Sequence, residues 1–156
     1  MTFRLGLIVA ALILVADQVS KYLLLDLMQQ NPNGIVLTPF FNLVLVWNTG
    51  VSFGLFQEDT PLRSWTLIGV AAAVLVWLLV WLWRAQGWLI GAALGLIIGG
   101  AIGNIIDRYR FGAVFDFLDF HAFGWHWPAF NVADSAIVVG VGLLLLDSIR
   151  MRPAAD

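Results

Sequence analysis

Two aspartates, Asp116 and Asp134, sit in apolar surroundings, V-F-D-F and N-V-A-D. An ionised carboxylate is costly there unless it has a partner or a task. Brought together, two such carboxyls share one proton, because like charges a few ångströms apart do not both ionise cheaply. A pair in that state activates water for attack on a carbonyl, one carboxyl acting as base and the other as acid. The stretch from Ala113 to Ser135 carries both and reads as the reactive part of the chain. The chemistry expected of it is that of an aspartic protease with its site at a membrane surface.

The elements that must position these groups are membrane helices. Of 156 residues, 61% are hydrophobic and only 12% charged, which is far too apolar for an ordinary soluble domain. Windows of about 20 apolar residues fall at 5–25, 64–83, 88–106 and 131–149. The fold expected is an all-α membrane protein, a bundle of four transmembrane helices in a single domain over 1–156. A small extramembrane β element is expected between helices 1 and 2, at 35–56. There, NPNG is turn chemistry, and IVLTPFFNLVLVW is rich in β-branched and aromatic residues, with an interruption or bulge near Pro39. The polar stretch from Asn48 to Gly54 reads either as a plain hairpin turn at Gly50 and Gly54 or as amide and backbone groups offered to an extended peptide, and QEDTP reads as a solvated loop.

The net charge of −2 gives no basic field for nucleic acid, and the lack of cysteine removes disulfides, thiol catalysis and thiolate metal sites. Arg4 before an apolar run resembles a signal peptide, but Asp17 and Lys21 interrupt that run and no small-residue cleavage site follows, so it is read as helix 1. Charge orients the bundle weakly. With both termini cytoplasmic, Arg4, Arg84, Arg150 and Arg152 lie inside and Arg63, Arg108 and Arg110 outside.

Other residues at membrane depth invite explanation. Asp17 and Lys21 stand at i,i+4 on helix 1, a spacing that suits an ion pair with Asp17 facing the bundle. Gly91, Gly95, Gly99 and Gly103 recur every four residues on helix 3, a small-residue seam for close helix packing. Asn104, Asp107 and Arg108 form a polar cluster at the end of that seam. Asn131 is placed to cap helix 4, with Asp134 in its first turn, a position that favours Asp134 as the more acidic member of the pair. Asp119, His121 and His126 lack metal-ligand spacing, and Asp119 and His121 read as an ordinary exposed loop, so no metal is expected. Trp125, Trp127 and Pro128 read as an interfacial anchor.

Five stretches together resemble lipoprotein signal peptidase, the signal peptidase II family of aspartic endopeptidases. They are DQVSK from Asp17, NTGVSFG from Asn48, GGAIGNIIDR from Gly99, VFDF from Val114 and FNVADS from Phe130. They follow the family's order across most of the chain. The resemblance implies that Asp116 and Asp134 are the catalytic dyad. It implies that Asn48, Gly50, Asn104, Asp107, Arg108, Asn131 and Ala133 surround the substrate or support the dyad, with Asp17 and Lys21 as accessories from helix 1. It further implies a substrate of diacylglyceryl-modified prolipoprotein, cut just before the lipidated cysteine, and inhibition by globomycin-type peptides. No cofactor, a monomer among membrane lipid, and a bacterial inner-membrane location with the site toward the periplasmic face complete what it implies. Two readings of the residues compete with it. One is a small proton- or ion-coupled transport subunit with Asp17, Lys21, Asp116 and Asp134 as a relay; the other is a noncatalytic assembly factor using the glycine seam.

Overall fold

The computed structural model describes residues 1–50 and 61–150. Helix α1 (Thr2–Gln30) leads into strands β1 (Ile35–Thr38) and β2 (Phe41–Asn48). Helices α2 (Pro61–Arg84) and α3 (Trp88–Phe111), strands β3 (Val114–Ala122) and β4 (Trp125–His126), and helix α4 (Val132–Arg150) follow. All four helices are long and apolar enough to cross a membrane. The 29 residues of α1 extend about 43 Å at 1.5 Å each, more than the ~30 Å of hydrocarbon in a bilayer. Its polar last turns, which gave no hydropathy signal, therefore lengthen the helix past the expected end.

Helix α3 is the axis of the bundle, with 56% of its apolar span buried against 17% for α1, 11% for α2 and 17% for α4. Glycine makes this possible. A Cβ at Gly95 would lie 2.5 Å from the Gly6 carbonyl oxygen, and one at Gly99 would lie 2.5 Å from that of Ala10, so the α1 backbone rests directly on α3. On the other side Gly100 opposes the Ala133 carbonyl, and a Cβ at Gly140 would meet the Ala93 carbonyl oxygen at 2.7 Å. In lipid, where burying apolar surface gives little drive, such close backbone packing is what holds helices together. Leu78 and Leu82 of α2 complete the apolar core against Leu94 and Ile98.

The sheet is antiparallel in the order β1-β2-β3-β4. Strands β1 and β2 lie where the β element was expected, and Pro39 and Phe40 form the turn between them. Positions 51–56 of that expected element, including Val51, Ser52, Phe53 and Gly54, lie outside the described residues, as do Arg152 and most of the QEDTP segment. Strands β3 and β4 come from the α3–α4 connection, where a loop was expected. Cross-strand pairing explains them: Phe41 faces Phe120 and Trp47 faces Phe115, while Phe115 and Phe117 pack on Met28 near the end of α1. Gly112, in a left-handed conformation at φ 74°, ends α3 and turns the chain into β3. The sheet thus stands on the same end of the bundle as Asn104, Asp107 and the start of α4.

Candidate active site

Asp116 lies mid-sheet on β3, 1% exposed, on the opposite side of the strand from Phe115 and Phe117. Two amides donate to it. Asn48 Nδ2, at the end of β2, reaches Oδ2 at 3.0 Å, and Asn131 Nδ2 reaches Oδ1 at 2.7 Å. Burial, and after it the charge of Asp134, push the Asp116 carboxyl up to about 7, while the two amides and Lys21 pull the other way.

Asp134 comes from the first turn of α4, where Asn131 is the cap. Asn131 Oδ1 accepts from the Asp134 N–H at 2.9 Å, and Asp134 Oδ2 accepts from the Asn131 N–H at 3.2 Å. This is a capping box in which the aspartate returns the bond. The other oxygen of Asp134 accepts from Asn104 Nδ2 at 2.8 Å. One residue, Asn131, therefore grips both aspartates, and its burial is complete. The structure brings Asp116 and Asp134 together although they leave different elements.

Beneath them lies a buried ionic network. Lys21 Nζ is 2.9 Å from Asp17 Oδ2, 2.8 Å from Asp107 Oδ2 and 3.3 Å from Asn104 Oδ1. Asp17 also accepts from the Ala133 N–H at 2.9 Å, so a carboxylate of α1 satisfies an otherwise unpaired amide at the start of α4. Ala133 thus enters the network through its backbone N–H. Asp107 accepts from the Phe115 N–H at 3.2 Å and so ties α3 to β3 beside Asp116. Removing Lys21 would leave two buried carboxylates without their cation, the costly situation for groups of this kind. Gln18, not among the residues expected at the site, donates to both Asp17 and Asp107 at 3.1 Å. A glutamine beside an aspartate within an apolar helix was the signal available.

Arg108 Nη1 donates to the Asn104 carbonyl at 3.4 Å, and the guanidinium lies in the electrostatic reach of Asp134, Asp116 and Asp107. Its Nε is buried without a hydrogen-bond partner among the described residues. Gly50 sits beside it: a Cβ there would lie 3.6 Å from Arg108 Nη2. The Gly50 N–H donates to Asn48 Oδ1 at 2.8 Å, and φ is +89°, which favours glycine. All eleven residues singled out from the sequence thus gather at one end of the bundle.

Asp119 and His121 are a correction: they do not form an exposed loop. Asp119 is 6% exposed on β3, and its carboxylate accepts from Asn42 of β2 at 2.9 Å and meets His126 Nδ1 of β4 at 2.9 Å. Burial alone would raise its pKa, but the His126 and Asn42 hydrogen bonds outweigh it and the carboxyl lies below its usual value. The cluster fastens three strands, a role that only strand pairing reveals.

A family model described as signal peptidase (SPase) II matches residues 9–150. The lipoprotein signal peptidase of Methylorubrum extorquens (strain PA1) is 51% identical over 98% of this chain and 90% of its own length. That of Nitrobacter hamburgensis is 48% identical over 97% and 96%. Among solved structures, a bacterial membrane enzyme determined by the in meso method at 1.9 Å superposes with a TM-score of 0.79, at 25% identity and 94% coverage of both chains. A second, at 2.3 Å, gives 0.76 at 26% identity, covering 97% of this chain and 93% of its own. Sequence, helices and sheet agree along nearly the whole length, and the chain belongs to the signal peptidase II family, a multi-pass membrane protein and an aspartic protease.

Proposed function

We propose that Asp116 and Asp134 are the catalytic dyad of an endopeptidase that removes the signal peptide from diacylglyceryl-modified prolipoprotein, cutting just before the lipidated cysteine. The observation that carries this reading is that Asn131 donates to both carboxyls, through its side-chain amide to Asp116 and its backbone N–H to Asp134, the Asp116 carboxyl being raised to about 7. Asp116 holds the proton. Asp134, whose two oxygens accept N–H donors at a helix N-terminus, serves as the base. It takes a proton from water as the oxygen attacks the scissile carbonyl, and Asp116 donates to the carbonyl oxygen. Collapse of the tetrahedral species transfers a proton to the leaving nitrogen and breaks the C–N bond. No covalent intermediate and no cofactor enter the step.

The surrounding residues have matching tasks. Asn48, Gly50 and Arg108 border the end of β2, where an extended peptide has backbone groups to pair with, and Asn104, Asn131, Asp107, Ala133, Asp17 and Lys21 hold the dyad. The acyl chains of the substrate remain in lipid between helices while the peptide reaches the sheet-covered end. That end faces the periplasmic side of a bacterial inner membrane, with both termini cytoplasmic and the protein working as a monomer inhibited by globomycin-type peptides. The test is cleavage in detergent of lipidated and unlipidated prolipoprotein by wild type, Asp116→Asn and Asp134→Asn. Cleavage of the lipidated form alone, abolished in both folded variants, supports the reading; a folded Asn variant that cuts at the wild-type rate removes that residue from the dyad.

A further inference from the structure

A cavity of about 240 Å³ opens between the sheet-side ends of α1 and α3, and neither Asp116 nor Asp134 lines it. It lies below the ~300 Å³ at which pockets begin to enclose drug-sized molecules, which suits a compact polar group better than a peptide. Its polar floor is the Lys21–Asp107 ion pair, and Leu25 and Phe115 give it an apolar wall. Two further charges of opposite sign line it, Arg110 and Asp26. They form no ion pair with one another among the described residues. Arg110 is exposed, its guanidinium resting 4.9 Å over the Phe111 ring, and three residues along α3 from Asp107 place it about 4.5 Å beyond the floor. Tyr22, 79% exposed, adds a hydroxyl to the lining.

The charges in the lining, Lys21 and Arg110 against Asp26 and Asp107, balance. A net anion gains little there, whereas a group carrying one charge of each sign complements both Arg110 and Asp26, whose Oδ2 accepts from Gln30 Nε2 at 3.1 Å and leaves Oδ1 for the ligand. The cleft is also continuous with the membrane-facing surface of two spanning helices, at the depth where polar α1 residues replace apolar ones. Lipid headgroups are the charged groups that a bilayer presents at that level. We propose that this cleft binds the headgroup of a zwitterionic bilayer phospholipid of the ethanolamine type, its phosphate on Arg110 and its ammonium on Asp26. Because the floor is the ion pair that also holds Asn104, an occupied cleft braces the network beneath Asp134.

The test is lipid retention by the full-length protein in native mass spectrometry from mixed micelles, with three probes: phosphatidylethanolamine, phosphatidylglycerol and diacylglycerol. Phosphatidylethanolamine is expected to be retained over diacylglycerol by about tenfold, the worth of one charge-assisted pair, and over phosphatidylglycerol by a smaller factor. Arg110→Gln is expected to lower retention by about tenfold, and Asp26→Asn to erase the preference for ethanolamine over glycerol headgroups. Equal retention of diacylglycerol, unchanged retention in Arg110→Gln, or displacement of the lipid by lipidated prolipoprotein would overturn the proposal; displacement would assign the cleft to substrate. Should Arg110→Gln fail to fold, photo-crosslinking of wild type with a headgroup-reactive phosphatidylethanolamine decides: labelling within 18–29 of α1 supports the site, and labelling only elsewhere rejects it. Neither readout depends on proteolysis.

Discussion

Replacing Asn48 with alanine removes one of the two amides that donate to Asp116 and leaves the other, Asn131, in place. A hydrogen bond to an ionised group contributes about 1.5–3 kcal/mol. Asn48 is exposed, so water recovers part of it, and half of the lower figure, about 0.7 kcal/mol, corresponds to about half a pH unit. The sign follows from which form the amide favours. It stabilises the carboxylate, so its loss raises Asp116 above its present value of about 7. Asp116 must carry the proton for the proposed reaction, so kcat/KM falls as pH rises through that value. In Asn48→Ala the alkaline limb of the profile should therefore move up by about half a unit. Asn48 also accepts from the Gly50 N–H, so the variant lowers the plateau as well, but a displaced loop does not by itself move a limb. The assay is the initial rate of cleavage of a lipidated prolipoprotein from about pH 5 to about pH 9. An alkaline limb that stays in place or moves toward acid would refute the assignment of the proton to Asp116.

Other expectations follow from the same contacts. Lys21→Met should destabilise the protein by about 3–5 kcal/mol, because Asp17 and Asp107 lose the cation they share; a melting temperature near wild type would show that the network is not held by charge. Gly103→Ala places a methyl 2.5 Å from Asp17 Oδ2 and should cost about 1–3 kcal/mol, read by thermal unfolding. Asp116→Asn should stabilise the protein above neutral pH by no more than about 4 kcal/mol. The folded pKa is raised, so the contribution of Asp116 is present at low pH and lost as pH rises through about 7; unfolding curves for variant and wild type should converge in acid. Asp119→Ala should unfasten β4 and speed hydrogen exchange of the Trp127 N–H, now bonded to the Phe120 carbonyl at 2.8 Å, by about tenfold.

Much of this arrangement was legible in the residues. Hydropathy marks spans regardless of tertiary contacts, and the four-residue glycine period names the helix on which the others pack. The dyad candidates stood out because an acid in an apolar setting needs a reason. What the sequence withheld were relationships between distant residues. Asp17 was recognisable as bundle-facing, but nothing near it points to the Ala133 N–H, 116 residues away. Asp119 and His121 resemble loop residues because hydrophobic and polar residues do not alternate cleanly along a strand whose two faces are both partly covered. The polar end of α1 was helical without being apolar, so a membrane-span criterion ended it early.

Asp116 and Asp134 are proposed to behave as one proton-sharing pair. Difference infrared spectroscopy on protein with ¹³C-labelled aspartate carboxyls measures this directly, as the protonated carboxyl band against pH in wild type and in Asp134→Asn. A carboxyl that loses its proton near pH 7 is expected in wild type, assigned to Asp116 by its absence in Asp116→Asn. In Asp134→Asn, with the like charge gone, that titration should move to lower pH. A titration that is unmoved, or no carboxyl still protonated near pH 6 in wild type, would contradict the pair.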